Sequence, residues 1–451
     1  MRILIINKSD RTGGAAMVSY RLLEAFRNEG IETRMLVTER LSDDPDVILA
    51  ASPRRYRLPF LRERLRVAFL NGFDRRTLFK FDLGSDGLPI SSHPEVRKAD
   101  AILINWVNQG MLSLKELERI LELGKPVLWT LHDMWPFTAV CHHSGECERF
   151  RDECAGCPLL PAGKYSGKVL KRVMERKRRA YNHPNLGFVA VSSWLADRAR
   201  KSSLLRDKPL FVIPNSFPID RADSKRTEAF EKITEKPATP DIRILFGAAR
   251  LDDPIKNLPL LTAGLNSFID SHPELKGGLH LVTYGGLKNP DAFAGLRVSH
   301  TNLGVIAPER IPELYSSSDI VISTSLYESL PGTLVEGQAY GAIPVATDRG
   351  GQRDIIEHRK TGYLVSFGNR GEHSSGSGQA ASKIKNPAPG PDEIAISNLK
   401  KGLEWALEVL SDPEKKRGVK TEMLKSVKER FDPPVIVRRY LEALRQLPSS
   451  R

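Results

Sequence analysis

The sequence predicts an α/β protein of two domains, each built around a parallel β-sheet. Three observations carry that expectation. Short apolar runs alternate with amphipathic segments along the chain, the pattern of strand–helix–strand crossovers. A polar, Pro-bearing passage over 221–241 interrupts the alternation, and Ile242-Arg243-Ile244-Leu245-Phe246 restarts it. Asp319 to Gly362 is a complete crossover in itself, with a buried-type strand from Ile320, a loop, a helix from about Gly332 to Tyr340 stopped by Gly341, and a second strand from Ile343. The 451 residues accommodate two domains of ordinary size.

Taken in order, Ile3–Ile6 is the first strand. Asn7 to Gly14 is a loop whose Gly13-Gly14 pair lets backbone N–H groups approach a phosphate, although it lacks the third glycine of the dinucleotide fingerprint. A helix is expected over 15–27 and a strand over 33–38, whereas 43–95, rich in Arg and Pro, reads as irregular. Strands follow at 101–105 and 126–131, the latter ending at His132-Asp133, with a helix between them over 114–123. A strand over 187–191, a helix over 194–201 capped by Ser192 or Ser193, and a strand over 209–214 close the first half. The second half places strands at 242–246 and 279–284, a helix over 311–317, the Asp319–Gly362 crossover, and helices over 394–410 and 435–447. Ser366 to Pro391, dominated by Gly, Ser, Asn, Pro and Lys, reads as a surface insertion.

In parallel sheets ligands bind at the carboxyl ends of strands, beside helix N-termini. Glu328 and Glu336 stand at such a place, with Pro331 and Gly332 between them forming the start of a helix. His132 occupies the same address in the first half, and Arg250 and Lys256 follow the strand that opens the second. Cys141, Cys147, Cys154 and Cys157 all lie in one short stretch, with His142 and His143 adjacent. Four such ligands suit a structural zinc, but their spacing is not a standard paired one, so packing thiols and disulfides stay open as alternatives.

The formal net charge is +13. Basic residues crowd Arg54–Lys80, where Glu63 and Asp74 are the only acids, and again Lys168–Arg179, where Val169, Leu170, Val173 and Met174 share one helical face. Such a helix suits an anionic membrane surface, or an ordinary core-facing position with its charges in water. Nucleic acid is disfavoured because no recognised binding motif accompanies the charge. No run of 18 apolar residues occurs, and Met1–Ile6 is too short for a signal peptide, so a cytoplasmic protein is expected.

Glu328-Ser329-Leu330-Pro331-Gly332-Thr333-Leu334-Val335-Glu336, followed by Ala339, Gly341, Pro344-Val345, Asp348, Gly350-Gly351 and Thr361-Gly362, resembles the donor-binding signature of the family 4 retaining glycosyltransferases. Thr130-Leu131-His132-Asp133-Met134-Trp135-Pro136-Phe137 resembles the subgroup that builds colanic-acid-type and other surface polysaccharides. The resemblance departs at Gly337, where the family usually has Ala. It implies a GT-B fold: Rossmann-like domains over 1–216 (acceptor) and 217–432 (nucleotide sugar) facing a cleft, and a tail over 433–451 crossing back to the first. It implies metal-independent, retaining transfer from a UDP- or GDP-sugar to a hydroxyl of a glycan or lipid-linked glycan, on the inner face of the membrane. Glu336 would hold the ribose and Glu328 the sugar. The 329–334 segment and Gly13-Gly14 would hold phosphate and sugar, Arg250 and Lys256 the leaving diphosphate, and His132 would face the sugar. A non-catalytic scaffold of the same fold, or a basic nucleic-acid-binding protein, is the alternative.

Overall fold

The computed structural model describes residues 1–161, 163–218, 242–307, 310–368 and 392–449; the passage expected over 221–241 and residues 369–391 of the expected insertion lie outside them. The chain divides into two compact units, Met1–Ser216 with Pro433–Arg451, and Phe217–Asp432.

Unit 1 holds seven strands, β1 (Arg2–Ile6), β2 (Glu32–Val37), β3 (Val47–Leu49), β4 (Ala101–Ile104), β5 (Val127–Leu131), β6 (Leu186–Ala190) and β7 (Leu210–Val212). They form one parallel sheet in the order β3-β2-β1-β4-β5-β6-β7. Residues 101–104, 127–131 and 186–190 are buried at every position. These strands are covered on both faces, which is why they read as continuous apolar runs. Successive strands step outward in one direction from β1 and in the other from β4. The loops after β1 and β4 therefore part, leaving a crevice at their carboxyl ends.

The segment expected to be irregular over 43–95 contains β3 and two helices, Pro53–Leu70 and Pro94–Lys98. Helix Pro53–Leu70 starts conventionally: Ser52 caps it by accepting from the Arg55 N–H at 3.4 Å, and Pro53 takes the first turn. Its buried face is half charged, consisting of Glu63, Arg64, Val67 and Leu70. Glu63 accepts from the N–H groups of Leu83, Gly84 and Ser85 at 2.6, 2.9 and 3.1 Å, and Arg64 donates to Leu78 O at 2.7 Å. Two charged side chains brace the 78–86 loop from the buried face, so the side of the helix that packs inward does not carry the apolar period by which a core-facing helix is read.

Unit 2 repeats the plan with β8 (Ile242–Arg250), β9 (Leu279–Gly286), β10 (Ser299–Asn302), β11 (Ile320–Ser323), β12 (Ile343–Thr347) and β13 (Tyr363–Val365), parallel in the order β10-β9-β8-β11-β12-β13. No apolar run announces β10, an edge strand reading Ser-His-Thr-Asn. Nor did it announce helix Pro413–Phe431, whose surface is crowded with lysines while Met423, Val427 and Phe431 are buried. Strand β8 runs past Phe246 to Arg250, with an irregularity in register between Gly247 and Arg250, so Arg250 ends the strand and does not follow it.

Helix Pro433–Arg445 packs on unit 1. Ile436, Val437, Tyr440 and Leu444 join the core of Ile3, Leu23, Phe26 and Leu128. The Tyr440 hydroxyl meets Thr130 Oγ1 at 3.0 Å, and Arg439 donates to Val212 O at 3.0 Å. Ile436 has no exposed surface. Ile436→Ala is expected to lower the unfolding free energy by about 2–5 kcal/mol. Chemical denaturation with unchanged slope would measure the loss; a cost below about 1 kcal/mol would mean the helix contributes little to that core.

Candidate functional site

In unit 2 the loops after β8 and β11, the two strands at which the order reverses, are clasped together. Asp253 accepts from Ile255 N–H at 3.2 Å and opens a short 3-10 turn ending at Lys256. Leu326 N–H then donates to Ile255 O, and Thr324 Oγ1 to Lys256 O, both at 2.8 Å. This brings Lys256 Nζ onto Glu328 Oε1 as a half-buried ion pair, with Ser325 Oγ donating to the same oxygen at 2.9 Å. Glu328 is backed by Gly350-Gly351. Gly351 N–H donates to Glu328 O at 2.8 Å. Gly350 sits at φ +64°, where a Cβ would lie 2.5 Å from Glu328 O. Only glycine allows that approach.

Ser329, Leu330 and Pro331 lead from Glu328 to the helix Gly332–Ala339, which has no side-chain cap at its start. Its first N–H groups, at Gly332 and Thr333, therefore carry the anion-attracting end of the helix, while Leu334 N–H donates to Pro331 O at 3.2 Å. Gly337 has a specific cause here: a Cβ would stand 2.3 Å from Val321 Cγ1 on β11. The helix lies too close to the strand for alanine, which offsets the cost of glycine inside a helix. Glu336, half-buried on that helix, is bonded by the hydroxyl of Tyr315, and Tyr284 Oη lies 2.8 Å from Tyr315 Oη. Burial, then the neighbouring Tyr284 and Glu336, hold the Tyr315 hydroxyl well above its ordinary range, so it stays protonated. The tyrosine pair went unread in the sequence because nothing in its spacing ties it to Glu336. Arg250 has carboxylate partners of its own. It pairs with Asp253 at 3.0 Å, and Asp252 lies 3.7 Å from its Nε.

In unit 1 the loops after β1 and β4 are joined by Lys8 N–H to Trp106 O and by Trp106 N–H to Asn7 Oδ1, each 2.8 Å. Gly13, at φ +92°, precedes helix Gly14–Asn28, and a Cβ at Gly13 or Gly14 would meet no atom within 4 Å. His132 follows β5 and lines a crevice with Asn105, Ser216 and Tyr440. Its Nε2 lies 2.8 Å from Asn105 Oδ1. Burial, opposed by Asp133, draws the imidazole down to about 4, so it is neutral at physiological pH.

Behind His132 runs a buried polar chain. His142 is held between two carboxylates, Nδ1 to Asp133 Oδ2 at 2.6 Å and Nε2 to Asp82 Oδ2 at 2.9 Å. Arg64 pairs with the other oxygen of Asp82, Trp106 Nε1 donates to Asp133 Oδ2 at 2.8 Å, and Trp135 N–H donates to Asp133 Oδ1 at 2.8 Å. Burial alone would lower His142, but Asp133 and Asp82 prevail and raise it to about 9. Burial alone would raise Asp133, but His142 prevails and holds it at about 2. Asp133 thus fixes the segment after β5 rather than acting on His132 alone. The sequence placed His142 beside the cysteines; its partner Asp82 lies 60 residues away, where spacing gives no signal.

The four cysteines are free thiols. Burial pushes Cys141 up to about 12 and Cys154 up to about 11; Cys141 lies near enough to feel the other three, and Cys154 to feel Cys147 and Cys157. Among the described residues no group of three or more His, Cys, Asp or Glu side chains is disposed to hold a metal ion, and no disulfide joins the four thiols. Of the two readings open for helix Lys164–Ala180, the core-facing one fits its side chains, because Leu170, Val173 and Met174 are buried.

Comparison with known proteins bears on the family and the fold. Residues 12–221 match the family model described as Glycosyltransferase Family 4, and 256–376 match Glycosyl transferases group 1. The chain belongs to the family 4 glycosyltransferases. Over 371 residues it is 23% identical to the putative colanic acid biosynthesis glycosyl transferase WcaC of Escherichia coli, covering 79% of this chain and 85% of that protein. Matches of 134 residues link it to spore coat protein SA of Bacillus subtilis and to D-inositol 3-phosphate glycosyltransferase of Rhodococcus erythropolis, at 27% and 31% identity. Each spans 27% of this glycosyltransferase, and 35% and 30% of those relatives, about a third of their lengths. Among solved structures, a glycosyltransferase from Rickettsia africae superposes with a TM-score of 0.63 at 14% identity, over 99% of this chain and 98% of that one. Anabaena Alr3699/HepE in complex with UDP-glucose superposes at 0.57 and 15% identity, over 99% and 100%. These likenesses establish the GT-B fold.

The Asp82–His142–Asp133 chain sets a pH signature for stability. His142, raised to about 9 from 6.5, contributes in full below about 6.5, and the contribution is lost as pH rises through 9. Asp133, lowered from 3.8, contributes above that value and loses it as pH falls through about 2. The melting temperature should therefore fall from pH 7 to 10, and His142→Gln, though less stable throughout, should fall less steeply. An equally steep alkaline decline in the variant would assign it to other groups.

Proposed function

We propose that this glycosyltransferase moves a sugar, with retention at the anomeric carbon, from a UDP- or GDP-sugar to a hydroxyl of a surface-polysaccharide acceptor, lipid-linked and presented at the cytoplasmic face of the membrane. The observation that carries the reading is the clasp of Lys256 and Glu328 at the carboxyl ends of β8 and β11, beside the uncapped start of helix Gly332–Ala339. The GT-B neighbour holding UDP-glucose and the colanic acid relative support the donor and acceptor classes.

In this reading Glu336, oriented by Tyr315, accepts from the two ribose hydroxyls. The amides of Gly332 and Thr333 take the distal phosphate, with Ser329, Leu330 and Pro331 shaping the passage to the sugar, and Gly13-Gly14 admits the pyrophosphate. Glu328 accepts from sugar hydroxyls while holding Lys256 toward the diphosphate. Lys256 and Arg250 offset the charge that grows as the anomeric C–O bond breaks. The acceptor hydroxyl forms the new C–O bond on the same face, and its proton passes to the departing phosphate oxygen, so no protein base is required. A neutral His132 hydrogen-bonds the sugar without adding positive charge beside the cationic anomeric centre.

Release of nucleoside diphosphate from UDP-, GDP-, dTDP- and ADP-sugars, with and without EDTA, tests this. One donor should turn over, indifferent to EDTA, and Glu336→Ala should abolish it. Lys256→Ala and Arg250→Ala should each cut turnover by about 10²-fold or more, as loss of one transition-state donor does. Near-normal turnover in both would remove the diphosphate role, and no binding of any donor would favour a non-catalytic scaffold. Tyr315→Phe, which leaves Glu336 in place but unheld, should raise KM for the donor more than it lowers kcat.

A further inference from the structure

Helix Pro53–Leu70 is turned inside out. Its buried face carries Glu63 and Arg64, while Leu58, Leu61, Leu65 and Phe69 lie 52, 59, 54 and 55% exposed. Their spacing of three, four and four residues places them in one stripe along the helix. Phe73 and Phe79 continue it at 60 and 56% exposure, and the rings of Phe69 and Phe73 meet edge to face at 5.0 Å. Half of the twelve large apolar side chains exposed among the described residues fall in this short segment. Scattered exposed leucines are ordinary; a continuous stripe of them marks a surface that something covers.

The charges around the stripe identify what covers it. Arg54, Arg55, Arg57, Arg62, Arg66, Arg75, Arg76 and Lys80 are exposed beside it, and no acid between Arg54 and Lys80 is: Glu63 is buried and Asp74 is half-buried against Arg76. A second copy of this chain would bring the same cations face to face, which like-charge repulsion opposes. A nucleic acid would satisfy the arginines but offers nothing to aliphatic leucines along the helix. Hydrocarbon with anionic headgroups matches both. Arginine side chains are long enough to reach headgroups while the leucines enter the acyl boundary, the arrangement of a helix lying in the interface plane.

We propose that the stripe Leu58–Leu61–Leu65–Phe69, with Phe73 and Phe79, docks unit 1 on an anionic lipid surface. No helix among the described residues is long and apolar enough to cross a membrane, so this is attachment to the surface. It is independent of the catalytic roles above, none of which uses these residues.

Flotation of the full chain with vesicles tests it, using phosphatidylcholine alone against equal parts phosphatidylcholine and phosphatidylglycerol. The protein should float with the anionic vesicles and not with the neutral ones. Leu61→Ser/Leu65→Ser/Phe69→Ser, in which only exposed side chains change, should keep its melting temperature and bind about tenfold or more weakly, as loss of that much apolar contact requires. Arg54→Gln/Arg57→Gln/Arg62→Gln should weaken binding and flatten its salt dependence. No flotation of the wild type, or equal flotation of the leucine variant, overturns the proposal. So does a concentration-dependent dimer, or an oligonucleotide complex, that the leucine variant abolishes while vesicle binding persists. Nucleoside diphosphate release in vesicle-free buffer should be the same in both proteins. Failure of turnover with flotation intact would therefore count against the catalytic reading alone.

Discussion

Both candidate sites in this protein depend on one topological constraint, the reversal of strand order beside the first strand of each sheet. Because β2 and β3 step away from β1 on one side and β4 to β7 on the other, the loops at their carboxyl ends part. The same holds where β8 meets β11. Parallel strands cannot be joined by tight hairpins, so every crossover delivers a loop and a helix start to the same edge. The chain exploits that edge twice, with different chemistry. Unit 2 sets an ion pair and an uncapped helix there, and unit 1 sets a glycine turn and a neutral imidazole.

The two halves also differ in what holds the edge still. In unit 2 the loops after β8 and β11 are pinned by backbone contacts and by glycines that tolerate close approach, so Glu328 is fixed by its main chain as much as by Lys256. In unit 1 the support is electrostatic, a buried run from Arg64 through Asp82 and His142 to Asp133. Such a run demands that every member be satisfied, since a lone charge in that interior would be far more costly than an apolar substitute. It also ties an otherwise surface helix to the floor of the crevice, and that tie is what leaves the leucines of the helix facing outward.

The strands that are buried on both faces were legible in the sequence, because β1, β4, β5, β11 and β12 are continuous apolar runs. The Glu328-to-Glu336 segment was legible too, because its elements are consecutive. What was hidden had one physical cause in each case. Helix Pro53–Leu70 buries charge and exposes leucine, so hydrophobic periodicity points the wrong way. Strand β10 is polar because it lies at an edge. His142 and Tyr315 act through partners distant in sequence, Asp82 in one case and Tyr284 in the other, and a contact between distant residues leaves no trace in local spacing.

The helix Pro433–Arg445 belongs to unit 1 although the whole of unit 2 precedes it in the chain. On the ribosome, therefore, unit 1 emerges first but cannot finish. The surface formed by Leu23, Phe26 and Leu128 waits uncovered while unit 2 is synthesised and folds around its own sheet. The order of synthesis and the order of completion are inverted: the later unit can mature before the earlier one. Until Tyr440 seats against Thr130, the crevice that contains His132 lacks one of its walls. A nascent chain thus has a complete unit 2 before the crevice that contains His132 has all its walls.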